Sequence, residues 1–314
     1  MTFAFTFPGQ GSQAVGMGRS LHDAYPAAAR VFEEVDEALG EKLSTLIFEG
    51  PEETLRLTAN AQPALMAVSL AALRALEAEG VDVGRAALVA GHSLGEYTAL
   101  AAAGALSVTD AARLLRLRGE AMQVAVPAGE GAMAALLGLD LAMAEEVARL
   151  AAEGDVCDVA NDNAPGQVVV SGHVAAVERA VAIAKEKGAK RPMLLPVSAP
   201  FHCALMAPAA DAMATALAGA DLKAPAVPLL ANVSVETLAD PAAIRDSLVR
   251  QVTQRVRWRE SVERFAAMGI DTTVEIGAGK VLTGLAKRID KSLKGVAVNT
   301  ADDVKTFAAE WVAA

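Results

Sequence analysis

The pentapeptide Gly91-His92-Ser93-Leu94-Gly95 constrains this chain more than any other stretch. The apolar run Ala86–Ala90 precedes it, and the helix-like stretch Tyr97–Ala103 follows. Where a strand turns at once into a helix, the residues two places either side of the apex must be nearly free of side chain. Such a turn, a nucleophile elbow, thrusts the serine hydroxyl out at the strand's carboxyl end. It also aims the Leu94 N–H at any oxyanion formed on an acyl group attached to Ser93. The plainer alternative is a glycine-rich βα turn with an incidental serine.

With 314 residues the chain can hold one large α/β domain or two domains. A net charge of −10 argues against general nucleic-acid binding. Basic residues gather locally at Lys185–Arg191, Arg250–Arg259 and Lys280–Lys294, either as solvated faces or as a dock for an acidic partner. Two cysteines, Cys157 and Cys203, form neither a disulfide framework nor a metal site, and read as buried thiols in a reducing compartment. The N-terminus lacks a basic region and reads as a strand rather than a signal peptide. The most apolar stretch, Ala86–Leu106, contains His92, Ser93 and Glu96, which excludes a membrane span. A soluble cytoplasmic protein is expected.

Along the chain, strands are predicted at Phe3–Phe7, Ala87–Ala90, Val227–Asn232, Thr272–Ile276 and Gly295–Asn299. Helical periodicity runs through Ala27–Leu39, Pro63–Glu79, Thr109–Val126, Leu205–Leu217, Ile244–Val252, Trp258–Met268 and Val281–Ile289. Alternation of this kind implies a mainly parallel sheet covered on both faces. Residues 129–197 read instead as β-α-β-β-α-β, the ferredoxin-like split unit, bounded by Pro127-Ala128-Gly129 and Ser198-Ala199-Pro200. The predicted architecture is therefore an α/β domain of residues 1–128 and 198–314 with an inserted subdomain at 129–197.

A serine hydroxyl needs a base, and the candidates are His22, His92, His173 and His202. His92 points away from Ser93 within the elbow. His202 is favoured, because it lies where the chain returns from the insertion and can sit over the carboxyl ends of the strands. A structural histidine is the alternative. Arg118 gives a second clue. Arg113, Arg116, Glu120 and Gln123 share a polar arc of their helix, whereas Arg118 sits among Leu114, Leu115, Ala121 and Met122. A buried guanidinium keeps its proton and must meet an anion. That anion is either an internal carboxylate or the free carboxylate of a substrate such as a malonyl group.

The chain resembles the malonyl-CoA:acyl carrier protein transacylases of fatty-acid synthesis along essentially its whole length. The resemblance rests on FPGQGSQ (Phe7–Gln13), AQPAL (Ala61–Leu65), GHSLGEY (Gly91–Tyr97) and LRG (Leu117–Gly119). It extends through NDNAPGQVVVSGH (Asn161–His173), FHCALM (Phe201–Met206) and EIGAGKVLTGLAKRI (Glu275–Ile289). It implies an α/β-hydrolase-like core with a ferredoxin-like insertion. It further implies Ser93 as the acylated nucleophile, His202 as general base and acid, and the Gln251 carbonyl as the group orienting that imidazole. Gln10 and Leu94 are implied as oxyanion donors, Arg118 as the malonyl carboxylate ligand, and Gln62 as a pocket residue. Phe201 is the letter that malonyl-selective relatives often carry before the histidine. The implied partners are coenzyme A thioesters and an acyl carrier protein, with no metal or redox cofactor, no nucleic acid and no membrane. The chain is expected to be a monomer.

Two other classes share some of these features. An esterase or thioesterase explains the elbow equally well, but such enzymes usually place an acid before a late histidine, and no histidine follows His202. Gly9–Ala14 also fits the G-x-G-x-x-A spacing of dinucleotide-binding modules. The acid expected about 20 residues on falls among Glu33, Glu34 and Asp36, inside a helical pattern.

Overall fold

The computed structural model describes residues 2–312. In chain order the strands are β1 (Phe3–Phe7), β2 (Leu88–Gly91), β3 (Gly131–Leu137), β4 (Cys157–Ala164) and β5 (Gln167–His173). There follow β6 (Arg191–Leu194), β7 (Leu229–Leu230), β8 (Thr237–Leu238), β9 (Thr272–Ile276) and β10 (Lys294–Val298). Six form a sheet in the order β10-β9-β1-β2-β7-β8. Neighbours in it run parallel except the β7–β8 pair.

Strand β1 lies inside this sheet and is buried along its whole length. Phe3, Phe5 and Phe7 join the core on one face, where the helices Pro26–Leu39, Thr58–Ala78 and Val108–Val124 pack. Ala4 joins the core on the other, under Trp258–Ala267 and Val281–Ile289. Alternate side chains thus feed two cores, which is why the parallel strands read as unbroken apolar runs. The mainly parallel sheet covered on both faces is as expected.

The second sheet has the order β4-β5-β3-β6 and is antiparallel throughout. It carries its own apolar cluster against the helices Leu141–Ala152 and Val174–Glu186. This is the strand order of the split β-α-β unit, with the third strand inserted between the first two.

Several elements differ from expectation. Strand β7 has two residues rather than the six of Val227–Asn232, and Asn232 lies outside it. The helix expected from Pro63 begins at Thr58 and carries Pro63 internally. The helices Arg19–Ala24, Leu43–Glu49, Glu52–Arg56 and Ala301–Val312 were not anticipated. The first three are too short to display a 3.6-residue period. The last is held by aromatic contact, its Trp311 ring 4.9 Å from Phe3 and 5.8 Å from Phe5. Among the described residues no helix is long and apolar enough to cross a membrane.

The helix Val108–Val124 is capped by Ser107, whose hydroxyl accepts from the Asp110 N–H. It crosses Thr58–Ala78 at Gly119. A methyl group there would stand 2.5 Å from the Ala59 Cα and 2.6 Å from the Thr58 carbonyl oxygen. Both obstacles are backbone and cannot rotate away. Intrinsic helix propensity favours alanine over glycine by about 1 kcal/mol, but forcing the helices apart costs about 1–3 kcal/mol or more. Gly119→Ala is therefore expected to lower the urea midpoint of unfolding; a raised midpoint would contradict the close approach.

Candidate active site

Strand β2 ends at Gly91 and the helix Gly95–Ala102 begins four residues later. At the apex Ser93 adopts φ 54°, a left-handed conformation that side chains disfavour. A Cβ on Gly91 would fall 1.9 Å from the Gly95 carbonyl carbon, and one on Gly95 would fall 2.4 Å from the Phe7 oxygen. No residue but glycine fits at either place. Asn232 clamps the turn from the side: its Oδ1 accepts from the Ser93 N–H at 2.8 Å and its Nδ2 donates to the Gly91 carbonyl at 2.8 Å.

His202 also adopts a left-handed φ, 56°. Its Nε2 lies 2.7 Å from the Ser93 Oγ, and its Nδ1 lies 2.7 Å from the Gln251 carbonyl oxygen. A carbonyl can only accept, so the proton sits on Nδ1 and the Nε2 lone pair faces the hydroxyl. Ser93 is thus the donor of that bond. Burial, reinforced by the nearby Arg118 charge, pushes the imidazole pKa down to about 3. The ring is a neutral acceptor across the physiological range.

The other histidines are engaged elsewhere. The His22 Nδ1 lies 2.9 Å from Asp23, and the His173 Nδ1 accepts from the Val156 N–H at 3.0 Å. The His92 Nε2 lies 2.8 Å from the Asn163 Oδ1, tying the elbow to β4 of the second sheet.

Arg118 is 1% exposed. Its Nη1 donates to the Gln62 Oε1 at 2.6 Å, and its Nη2 donates to the Gln251 Oε1 at 2.8 Å and the Ser93 Oγ at 3.1 Å. The Tyr97 ring lies 5.7 Å from its guanidinium carbon, and its Nε has no protein partner. Among the described residues no carboxylate is in ion-pairing distance of it. The internal ion pair considered from sequence is therefore not present. The guanidinium is held by neutral oxygens, directly beside the serine hydroxyl.

Behind this group lies a buried polar network that sequence reasoning missed. The Gln251 Nε2 donates to the Ser93 carbonyl at 2.9 Å and to the Glu96 Oε2. The Glu96 Oε1 accepts from the Asn232 N–H at 2.6 Å. Glu96, Asn232 and Gln251 are each fully buried. Glu96 stands next to the elbow motif, but an acid in the first turn of a helix reads as a partner for the helix dipole. Nothing in the local sequence marks Asn232.

The groups face a cavity of about 390 Å3 between the two sheets. Gln10, Gln62, Ser93, Leu94, Arg118 and His202 all line it, while Gln251 supports His202 from behind. Apolar walls come from Met122, Met133, Val169, Leu195, Val197 and Phe201. Among the described residues no cluster of histidine, cysteine and carboxylate could hold a metal ion.

Residues 4–308 match the family model described as "Acyl transferase domain". The chain is 51% identical over 298 residues to the malonyl CoA-acyl carrier protein transacylase of Escherichia coli strain K12, covering 95% of this chain and 96% of that one. The crystal structure of the acyl-carrier-protein-S-malonyltransferase from Bartonella henselae superposes with a TM-score of 0.97 at 58% identity, covering 99% of both chains. A malonyl-transacylase solved in complex with a type II polyketide synthase acyl-carrier protein superposes with a TM-score of 0.96 at 44% identity, covering 99% of this chain and 100% of that one.

An imidazole with its ordinary pKa near 6.5 would be about nine-tenths protonated at pH 5.5 and would lose that share of its capacity as a base. With the pKa lowered to about 3, His202 remains neutral there. The single-turnover rate of Ser93 acylation is expected to change less than twofold between pH 7 and 5.5. A tenfold fall, followed by rapid quench, would show that the ring titrates normally.

Proposed function

The chain belongs to the malonyl CoA-acyl carrier protein transacylase family and is a malonyl-CoA:acyl carrier protein S-malonyltransferase of fatty-acid biosynthesis; we propose that Ser93 carries the malonyl group and His202 the proton. Ser93 Oγ attacks the thioester carbonyl of malonyl-CoA as the His202 Nε2 takes the hydroxyl proton. The tetrahedral oxyanion is received by the Gln10 and Leu94 N–H groups, each contributing roughly 3–4 kcal/mol to the transition state. Collapse breaks the carbon–sulfur bond, and the imidazolium returns its proton to the coenzyme A sulfur. The pantetheine thiol of an acyl carrier protein then enters, gives its proton to the same nitrogen and attacks the ester carbonyl; the carbon–oxygen bond to Ser93 breaks, and the imidazolium returns the proton to the Ser93 Oγ.

The observation that carries this reading is the position of Arg118. A buried guanidinium with no carboxylate in ion-pairing distance among the described residues, 3.1 Å from the Ser93 hydroxyl, suits an acyl group whose far end is negative. Gln62 shares the site by holding the other arm of the fork. Phe201 lines the same cavity, and its ring leaves less room there for a branched acyl chain than a small side chain would.

In the same reading, residues 129–197 form a subdomain inserted in a catalytic domain of residues 1–128 and 198–314. The cavity between them keeps the malonyl-serine from bulk water. The enzyme acts as a cytoplasmic monomer without metal or redox cofactor, consistent with two buried, unpaired cysteines.

Intact-mass analysis after mixing with malonyl-CoA should show one malonyl adduct, absent in Ser93→Ala. Removing one partner of a buried charged pair typically costs 2–5 kcal/mol. Arg118→Ala is therefore expected to lower kcat/KM for malonyl transfer by about 100-fold or more, with acetyl transfer far less affected. Equal loss on both donors would make Arg118 structural.

The basic clusters differ in how freely they can meet an acidic carrier protein. In Arg250–Arg259 every arginine is already paired, with Asp246, Glu145, Glu260, Asp162 or Glu263. Lys287, Arg288 and Lys291 are exposed and have no carboxylate partner among the described residues, and the same holds for Lys190 and Arg191, beside the pocket wall Leu195–Val197. Glutamate at Lys190 and Arg191, or at Lys287 and Arg288, is expected to raise the KM for carrier protein several-fold at low salt while sparing that for malonyl-CoA. An unchanged KM in both variants would exclude both clusters as the dock.

A further inference from the structure

Gln251 reaches in three directions, and the arrangement admits only one orientation of its side-chain amide. Its Oε1 faces the Arg118 Nη2, which can only donate. Its Nε2 faces the Ser93 carbonyl, which can only accept. Turning the amide over would break both bonds at once. With the amide held this way, the NH2 group also points at the Glu96 Oε2, while the Asn232 N–H points at Oε1. Both carboxyl oxygens therefore face donors, and a proton on either would have no acceptor. Burial dominates and raises the Glu96 carboxyl to about 8, although these two donors and the Arg118 charge act in the opposite sense.

The consequence is a chain of contacts running from Glu96 through the Gln251 amide to Arg118, with no direct ion pair between acid and base. The same Gln251 supplies the main-chain carbonyl that orients His202. We propose that Glu96 is a positioning residue that, through the Gln251 amide, aims the Arg118 guanidinium at the acyl pocket and steadies the carbonyl behind His202. Separation by one amide is what makes this useful. A carboxylate bonded directly to Arg118 would compete with the substrate for the same donors. One amide further back, it leaves the guanidinium with hydrogens that no protein group takes, the Nε–H among them.

This inference rests on the malonyl-transfer reading, and the experiment separates the two. Initial rates of Ser93 acylation are measured with malonyl-CoA and acetyl-CoA for the unmodified enzyme, Glu96→Gln and Glu96→Asp, with thermal melting of each. Glu96→Gln keeps the volume but turns an NH2 group toward the Gln251 amide or the Asn232 N–H, so one donor meets another. Both donors should react more slowly, and the ratio of malonyl to acetyl rate should fall at least tenfold. In Glu96→Asp the shortened side chain keeps the carboxyl group and its two acceptor oxygens, and the ratio should fall by a smaller factor. If Glu96→Gln does not fold, a lowered ratio in Glu96→Asp supports the proposal. An unchanged ratio in the folded variants, whatever the melting temperature does, would overturn the positioning role. Absence of malonylation in the unmodified enzyme would overturn the functional reading and the role of Glu96 together.

Discussion

The site is organised around one permanent positive charge taken out of water. Burying an unpaired guanidinium costs several kcal/mol, and Arg118 is 1% exposed. Three neutral oxygens, from Gln62, Gln251 and Ser93, take its protons without cancelling its charge. Each of these bonds restricts something else. The bond to Gln62 ties the helix Val108–Val124 to Thr58–Ala78, which Gly119 allows to approach at the next residue. The bond to Gln251 selects one face of an amide whose other end meets Glu96. The bond to Ser93 places the charge beside the nucleophile. On the proposed reading substrate recognition and scaffold share the same hydrogen bonds, so the guanidinium is aimed before any substrate arrives.

Both residues proposed to react sit in backbone conformations that a side chain disfavours, Ser93 at φ 54° and His202 at φ 56°. Such conformations cost about 1–3 kcal/mol each and persist only where the surroundings over-determine them. Asn232 does this for Ser93 by gripping the main chain before and at the apex. The Gln251 carbonyl, accepting from the ring itself, holds the His202 imidazole against the serine. Asn232 also occupies the Ser93 N–H, which removes that group from the set able to meet an oxyanion and leaves the role to donors lining the pocket.

How much of this could be read from the chain depended on whether a feature is local. The elbow is legible because its constraint is steric and spans five residues. Arg118 is legible because a charge out of register with its helix period is conspicuous. The choice of His202 among the histidines is different in kind, since the bond to Ser93 spans 109 residues and only the position of the loop favoured it. Asn232 acts across 139 residues on the Ser93 N–H and Gln251 across 158 on its carbonyl, with no periodicity or local motif at Asn232 or Gln251 to pair them with the elbow. The helix Ala301–Val312 was missed for a related reason: what secures it is contact with β1 at the far end of the chain.

Among the described residues a carbonyl rather than an acid stands behind His202, which suits the proposed mechanism on the same electrostatics. A carboxylate there would stabilise the imidazolium and slow return of the proton to a departing thiol, and it would add a negative charge near a substrate that already carries one. A carbonyl orients the ring with no net charge. The remaining obstacle is Arg118, whose charge opposes protonation of His202. On the proposed mechanism a malonyl carboxylate seated on the guanidinium would cancel much of that opposition, and the base would strengthen when the acyl group with the right far end is in place. An acetyl group offers no such compensation. On that reading discrimination would enter through the proton transfer as well as through binding, which is where differential stabilisation of a transition state has its effect on rate.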